Sequence, residues 1–408
     1  MWFFAIFVGI ALAIILQYRT YKKRGLNDLS YSVRFSTDEA FEGDIIYMYE
    51  KIVNNKSLSL PFVRVDTELE EGLHFTLVEQ SKADSKGRRS IKKISRVQSI
   101  FALRAGTEIE RRWRVSCDRR GEYNMQGSVI IIRDIVGLAQ VARRLEPEDR
   151  RDTRITVLPM PADIEAHYTS SMYMSGDVVS NHCFTADPLR ICGSREYTPY
   201  DPMNRINWKS SAVHGRLMVN LEEKTSRHRF GLVLNMNSRT VENKNLYISD
   251  TEAIERNISV CASILDRIAA EDVPVRLYMN TVQNETLSGL GMSPVSEDDG
   301  DGAGAKILVS EPFKGKYNVI NALRVLASVR NEISVPADKM FDHILQNVGL
   351  YRESEHLIIV SAYLDQRMLN LHAMLKREGI NVIFYITTTR SDISEFPENV
   401  EIYYNCYF

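Results

Sequence analysis

Residues 228–279 read HRFGLVLNMNSRTVENKNLYISDTEAIERNISVCASILDRIAAEDVPVRLYM, and their periodicity switches twice. Phe230 to Leu234 is a short, continuous apolar run of the kind shown by a strand covered on both faces. Ser249, Asp250, Thr251 and Glu252 form a capping box, whose side chains satisfy the unpaired N–H groups at a helix start. The helix it opens carries Ile254, Ile258, Ala262, Leu265 and Ala269 on one face, and Pro274 to Met279 reads as the next strand. Further on, Gly289 to Ala305, rich in Gly, Asp and Ser, reads as a flexible insertion, and Ile307 to Val309 as a short strand. Helices are predicted near Tyr317 to Val329 and Ala337 to Val348. A strand follows from His356 to Ser361, a helix from Leu364 to Arg377 ending at Gly379, and a strand from Asn381 to Ile386. Helices separating buried strands predict a parallel sheet flanked by helices over residues 228–408.

Upstream the pattern is all-β. Tyr31, Val33 and Phe35 alternate with polar neighbours, and Ile46, Met48 and Glu50 do so less cleanly. Phe62, Val63 and Val65, and Val129 to Ile132, are short β-branched or aromatic runs bounded by turn residues. Several such strands predict a β-sandwich over residues 26–144. The charged, Pro-containing RRLEPEDRRDTR from Arg143 to Arg154 is a connector, Ile155 to Leu158 a strand, and Pro159 to Pro188 an irregular polar tract.

The whole chain has 408 residues, enough for two domains with cores, and a formal net charge of −2 that lacks the basic excess of a nucleic-acid binder. Cys117, Cys183, Cys192, Cys261 and Cys406 are odd in number and show no CxxC spacing, which argues against a disulfide framework or a structural zinc site. Trp2 to Leu16 is apolar on every face, and Arg19, Lys22, Lys23 and Arg24 follow at once. Spanning a bilayer takes about 20 residues, so residues 1–18 read as a short transmembrane anchor with Gln17 and Tyr18 at the headgroups. The basic cluster places the remainder in the cytoplasm. The chain is thus predicted to be a single-pass cell-membrane protein.

Between the two halves, Gly193 to Val219 reads GSREYTPYDPMNRINWKSSAVHGRLMV. Arg195, Glu196, Tyr197, Asp201, Arg205, Asn207, Trp208 and Lys209 crowd a span with no apolar periodicity, which suits a polar lattice or a docking surface. The stretch resembles the signature of the bacterial domain-of-unknown-function fifty-eight family, G-x-R-x-Y-x-x-G-D-x-x-R-x-I-x-W-x-x-S-A, through Gly193, Arg195, Tyr197, Asp201, Arg205, Ile206, Trp208, Ser211 and Ala212. Tyr200 stands where the family has Gly, and Val213 where it has Arg. The segment RGEYNMQGSVIIIRDIVGL adds Arg120, Gly121, Tyr123, Gly127, Asp134, Gly137 and Leu138, with Ile135 and Val136 replacing Pro-Phe. The resemblance implies an immunoglobulin-like sandwich, the signature segment over 155–227, and a von Willebrand factor A-like domain over 228–408.

In that domain the resemblance implies a divalent-cation loop of the form Asp-x-Ser-x-Ser. Here it reads Asn235, Met236, Asn237, Ser238, Arg239, with Asp365 the one distant carboxylate. Hard cations need carboxylates, so a metal-free loop is expected. No GxSxG, no Walker GxxxxGK[ST] and no nucleophile–base pair occurs; His182–Cys183 are mere neighbours, and His214 reads as a solvated side chain. No cofactor motif is present. The function implied is a non-enzymatic, membrane-anchored adaptor or scaffold working with a MoxR-type AAA+ ATPase in complex assembly. The alternatives are a divalent-cation-dependent ligand-binding module and a cell-envelope hydrolase. Within the signature, Trp208, following Ile206 in a strand-like run, is expected to be buried, and Tyr200 exposed.

Overall fold

Alternation decides the first half of the molecule. In strand Leu29–Phe35 the side chains of Tyr31, Val33 and Phe35 turn inward, and in strand Ile45–Asn54 those of Ile46, Met48, Glu50, Ile52 and Asn54 do. The computed structural model describes residues 2–24, 28–78, 91–125, 127–134, 137, 140–146, 153–162, 185–198, 203, 206–225, 230–243, 246–270, 273–282, 287, 291–296, 306–331, 335–346, 356–388 and 400–404.

Two antiparallel sheets face each other. One orders strands Leu29–Phe35, Ile45–Asn54, Glu108–Cys117, Leu73–Val78 and Ile91–Ile94; the other orders Gln140–Leu145, Ser128–Arg133, Leu60–Glu68 and Arg96–Leu103. Met48, Ile52, Val63, Val65, Phe75 and Ile130 are buried between them, each contributing about 1.5–3 kcal/mol. Gly127, at φ 101°, lets the chain pass Leu145: a Cβ there would lie 2.2 Å from that residue's carbonyl oxygen. The untidy position in the sequence, Glu50, is a buried carboxylate in this core. Tyr31 Oη and Thr67 Oγ1 donate to its Oε1 at 3.0 and 2.9 Å, and Arg111 Nη2 and Trp113 Nε1 donate to its Oε2 at 2.7 and 3.2 Å. Burial, then the Glu50 charge, push the Tyr31 phenol up.

The N-terminal helix runs from Trp2 to Arg24, past the sequence limit of 18. It is long and apolar enough to cross a membrane. Its last turn docks on the sandwich, with Tyr21 6% exposed and its hydroxyl donating to the Ser59 carbonyl at 2.8 Å.

Strand Arg154–Leu158, read in the sequence as the lead into the signature segment, instead completes a three-stranded sheet between Glu39–Phe41 and Gly121–Asn124. That sheet joins the halves. Arg120, whose side chain is 4% exposed, donates from Nη1 to Glu255 Oε2 at 2.7 Å and from Nη2 to the Val329 carbonyl at 3.1 Å. Arg324 Nε donates to Glu39 Oε1 at 2.5 Å, and Ser263 Oγ to the Ala162 carbonyl at 2.7 Å.

The second half is a seven-stranded sheet in the order Met292–Ser296, Lys306–Ser310, Val275–Met279, Phe230–Leu234, His356–Ser361, Asn381–Ile386, Glu401–Tyr404. The last five are mutually parallel, as expected, but the first two form an antiparallel hairpin, so the sheet is mixed. Part of the expected insertion, Met292–Ser296, is thus an edge strand; an edge tolerates Pro294, and Met292 is buried. Helices Thr251–Ala270 and Lys316–Ser328 contribute to the core on one face, and Ala337–Gln346 and Gln366–Arg377 to that on the other. The first helix is capped by Asp250, whose Oδ1 accepts the Ala253 N–H at 3.1 Å, one residue later than the expected Ser249.

Candidate functional site

The signature segment folds as a hairpin bearing a short helix. Strand Thr185–Glu196, whose start overlaps the tract expected to be irregular, pairs antiparallel with Met218–Thr225; Gly193 lies opposite Leu221 and Arg195 opposite Val219. The Tyr197 N–H extends the ladder to the Leu217 carbonyl at 2.9 Å. Ile206, 8% exposed, forms an isolated antiparallel bridge to Val219, and a helix begins directly after Asn207. Asn207 caps helix Trp208–His214, its side chain accepting the Ser210 N–H at 2.9 Å. Gly215, at φ 65°, ends the helix in the left-handed conformation. Buried Ser211 ties helix to strand: its Oγ donates to the Asn207 carbonyl at 2.7 Å and accepts the Met218 N–H at 2.8 Å.

Asn207 and Ser211 are therefore the architectural residues of the motif, and Trp208 is not. Contrary to expectation, Trp208 is 70% exposed. Ile206 is buried where it bridges Val219, the helix cap follows at Asn207, and the first helical residue turns outward. Met203, Val213 and Leu217 are exposed apolar side chains of the same segment, and Lys209, Arg195 and Arg216 are exposed cations. Arg195 Nη1 donates to the Glu196 carbonyl at 3.0 Å, and Arg216 pairs with Glu196 at 3.2 Å across an exposed gap, a contact of little energetic weight. His214 is exposed and its Nδ1 lies 2.9 Å from the Ser210 carbonyl. Tyr200, Asp201 and Arg205 lie outside the described residues, as do His182, Cys183, Ile135, Val136 and Leu138.

At the carboxyl ends of the parallel strands, the loop considered for a cation is built on fully buried amides. Asn235 Nδ2 donates to Ser361 Oγ at 3.1 Å, and its Oδ1 accepts the Asn237 N–H at 3.0 Å and Asn280 Nδ2 at 3.4 Å. Asn257 Nδ2 donates to the Asn235 carbonyl at 3.0 Å, and Thr387 Oγ1 to Asn257 Oδ1 at 2.6 Å. Asn280 Oδ1 accepts the Met236 N–H at 2.7 Å. Ser238 Oγ accepts the Asp250 N–H at 2.7 Å, and Asp365 caps helix Gln366–Arg377 through the Met368 N–H at 3.0 Å. These side chains lock four strand ends and a helix start together with neutral hydrogen bonds. Their oxygen donors are engaged in the fold, and the two carboxylates beside the loop, Asp250 and Asp365, both cap helices, so the set is a poor fit for a hard cation. Asn257, Asn280, Ser361 and Thr387 were not singled out in the sequence; the signal was polar residues directly after, or one turn into, apolar elements.

No family model matches the chain, and no curated protein matches it. Among solved structures, the chain is similar to the CARDB domain of a Pyrococcus furiosus protein (10% identity, 32% of this chain and 88% of that one, TM-score 0.19). It is also similar to a non-cellulosomal cohesin from Archaeoglobus fulgidus (17% identity, 28% and 83%, TM-score 0.18). A third likeness is to the sporulation control protein Spo0M from Bacillus subtilis (13% identity, 30% and 51%, TM-score 0.17). Scores this low carry no argument about activity.

Proposed function

We propose that the chain is a non-enzymatic adaptor or scaffold, held in the cell membrane by its N-terminal helix with the bulk of the chain in the cytoplasm. Its signature helix docks an acidic partner, and the resemblance to the domain-of-unknown-function fifty-eight family makes that partner a MoxR-type AAA+ ATPase. In this reading the sandwich is the immunoglobulin-like domain of that family, and the α/β half a von Willebrand factor A-like domain whose cation loop has become a neutral amide lattice. The observation that carries the docking role is the exposure of Trp208 on a helix whose shape depends on Asn207, Ser211 and Gly215. Trp and Arg are the residue types that dominate interface energies, and an exposed aromatic with no role in its own fold marks a contact surface. Arg195, Lys209 and Arg216 outnumber Glu196 among the described charges there, which favours an acidic surface opposite.

The test is Trp208→Ala in the full chain. Its thermal stability is expected to stay within about 0.5 kcal/mol of the parent, while affinity for the purified ATPase falls roughly 30-fold, the effect of a hot-spot residue. Ser211→Ala is the contrasting variant, expected to lower the melting temperature. Unchanged affinity in Trp208→Ala sinks the docking role. Orientation is read separately: a reporter fused to the C-terminal end is expected to be active in the cytoplasm, and activity solely outside overturns the placement.

A further inference from the structure

The end of the sandwich nearest the N-terminal helix carries a second surface. At about 1.5 Å per residue, Trp2 to Tyr21 spans roughly 28 Å, close to the ~30 Å of a bilayer's hydrocarbon layer. With Trp2 at one edge, Tyr21 reaches the other. The Tyr21 hydroxyl donates to the Ser59 carbonyl at 2.8 Å, so a membrane anchor of this length would set the loop holding Ser59 at headgroup depth. Tyr18, one turn earlier, also packs against the sandwich core.

That loop is not isolated. Asn54, fully buried, donates from Nδ2 to the Leu58 carbonyl at 3.0 Å and to the Arg104 carbonyl at 2.9 Å, stapling two loops together. The Ala105 N–H donates to Ser59 Oγ at 3.2 Å, and the Asn54 N–H to the Thr107 carbonyl at 3.0 Å. The resulting platform, Asn54–Ser59 (NNKSLS) and Arg104–Thr107 (RAGT), contains Lys56 and Arg104; Lys56 is half-buried and faces Asp28, whose carbonyl accepts the Asn55 N–H at 3.1 Å. Arg104 is exposed, and Arg19 and Lys22 are exposed on the adjoining helix. Because the platform is fixed by main-chain and buried side-chain bonds, ordering it on contact costs little.

We propose that these two loops are a preformed membrane-contact surface that takes anionic phospholipid headgroups, with Arg104 and Lys56 meeting the phosphates. Each cation near an anionic membrane surface favours contact by a factor of about five, and the platform holds the sandwich in one orientation above the bilayer. The inference rests on the membrane-anchor reading.

The experiment uses the full chain in vesicles of phosphatidylcholine alone or mixed with phosphatidylglycerol. A benzophenone amino acid is placed in turn at position 57, at 105, at 12 in the apolar helix and at 314 in the α/β half, and the photo-adducts are identified by mass spectrometry. Lipid adducts are expected at 57, 105 and 12 and not at 314. At 57 and 105, the ratio of phosphatidylglycerol to phosphatidylcholine adducts is expected to exceed that of the bilayer roughly fivefold, and the Lys56→Gln, Arg104→Gln pair to abolish that excess. These substitutions leave the stapling bonds in place, because the Lys56 and Arg104 side chains form none of them. Adducts at 12 but none at 57 or 105 overturn the platform while the anchor stands. Adducts at 57 and 105 without the anionic excess overturn the headgroup preference. No lipid adduct at 12 removes the anchor, and the platform with it.

Discussion

Replacing Arg120 with alanine is expected to uncouple the two halves of the molecule. The guanidinium is the buried link between them, reaching Glu255, the Val329 carbonyl and, at 3.4 Å, Asn331 Oδ1. Asn331 in turn donates to Glu255 at 3.2 Å, so the bonds form one cluster. The Glu255 side chain is 42% exposed, so deleting Arg120 leaves a partly solvated carboxylate together with an unpaired Val329 carbonyl, a cost of about 1–3 kcal/mol. Here two carboxylates are left, since Glu42 also faces this cluster; its carboxyl is held above the ordinary value by burial and then by Glu255, and Arg120 opposes that rise. Calorimetry is expected to show the parent's main transition split into two, the lower one belonging to the half that loses its support. A single transition at the parental temperature would show that the Arg324–Glu39 pair and the Ala162–Ser263 contact suffice.

The pH dependence provides an internal check. A carboxyl whose folded pKa is raised adds stability that is fully present below its unfolded value and lost as pH rises through the folded one. For Glu42 this window opens at the ordinary 4.5 and extends upward. Removing Arg120 widens it, so the deficit of Arg120→Ala relative to the parent is expected to shrink as pH falls from 7 towards 5. Adding Glu42→Gln should recover part of the loss at pH 7 and flatten that trend. A deficit that stays constant with pH, in melts of parent and variants together, would mean that Glu42 is not part of the coupling.

The parts of this architecture legible in the sequence are those set by neighbours along the chain. The strands Phe230–Leu234 and His356–Ser361 stand out because burial on both faces demands an unbroken apolar run. The inward register of Tyr31, Val33 and Phe35 follows from period-two alternation. Glu50 breaks such a pattern, and its meaning lies in Arg111 and Trp113, more than 60 positions away. Arg120 was visible as part of RGEY, but its partners Glu255 and Val329 are 135 and 209 residues distant. Trp208 departs from the expectation for a local reason: Ile206 and Trp208 would share a face in a strand, but Asn207 caps a helix between them. The paired edge of Met292–Ser296 was hidden by the Gly- and Asp-rich composition that surrounds it.

The buried amide lattice gives the second large effect. Asn235→Asp exchanges one NH2 for an oxygen in a site with no exposure, among partners that are all neutral. The Asn237 N–H and Asn280 amide can still donate to the new carboxylate, and Ser361 can turn its hydroxyl towards it. No cation lies among these partners, so the charge is desolvated without compensation. A carboxyl in such a place has its pKa raised by about 3–5 units. At pH 7 the unfolded carboxyl is ionised while the folded one is held largely protonated, a loss of about 4 kcal/mol, or a melting temperature lower by about 10 °C for a unit of this size. The direction with pH follows: the variant regains stability as pH falls through the raised value, whereas Asn235→Ser, which carries no charge, shows no such recovery. Magnesium separates a structural lattice from a degraded cation site. The parent is expected to melt at the same temperature with and without it, because the Asn235 oxygen is occupied and Asp365 caps its helix. If magnesium raises the melting temperature of Asn235→Asp, and Asp365→Ala removes the gain, the loop still has the shape of a cation site and the neutral amide is what closes it. If magnesium leaves Asn235→Asp unchanged while acid rescues it, the asparagines have rebuilt the strand ends as a structural lattice.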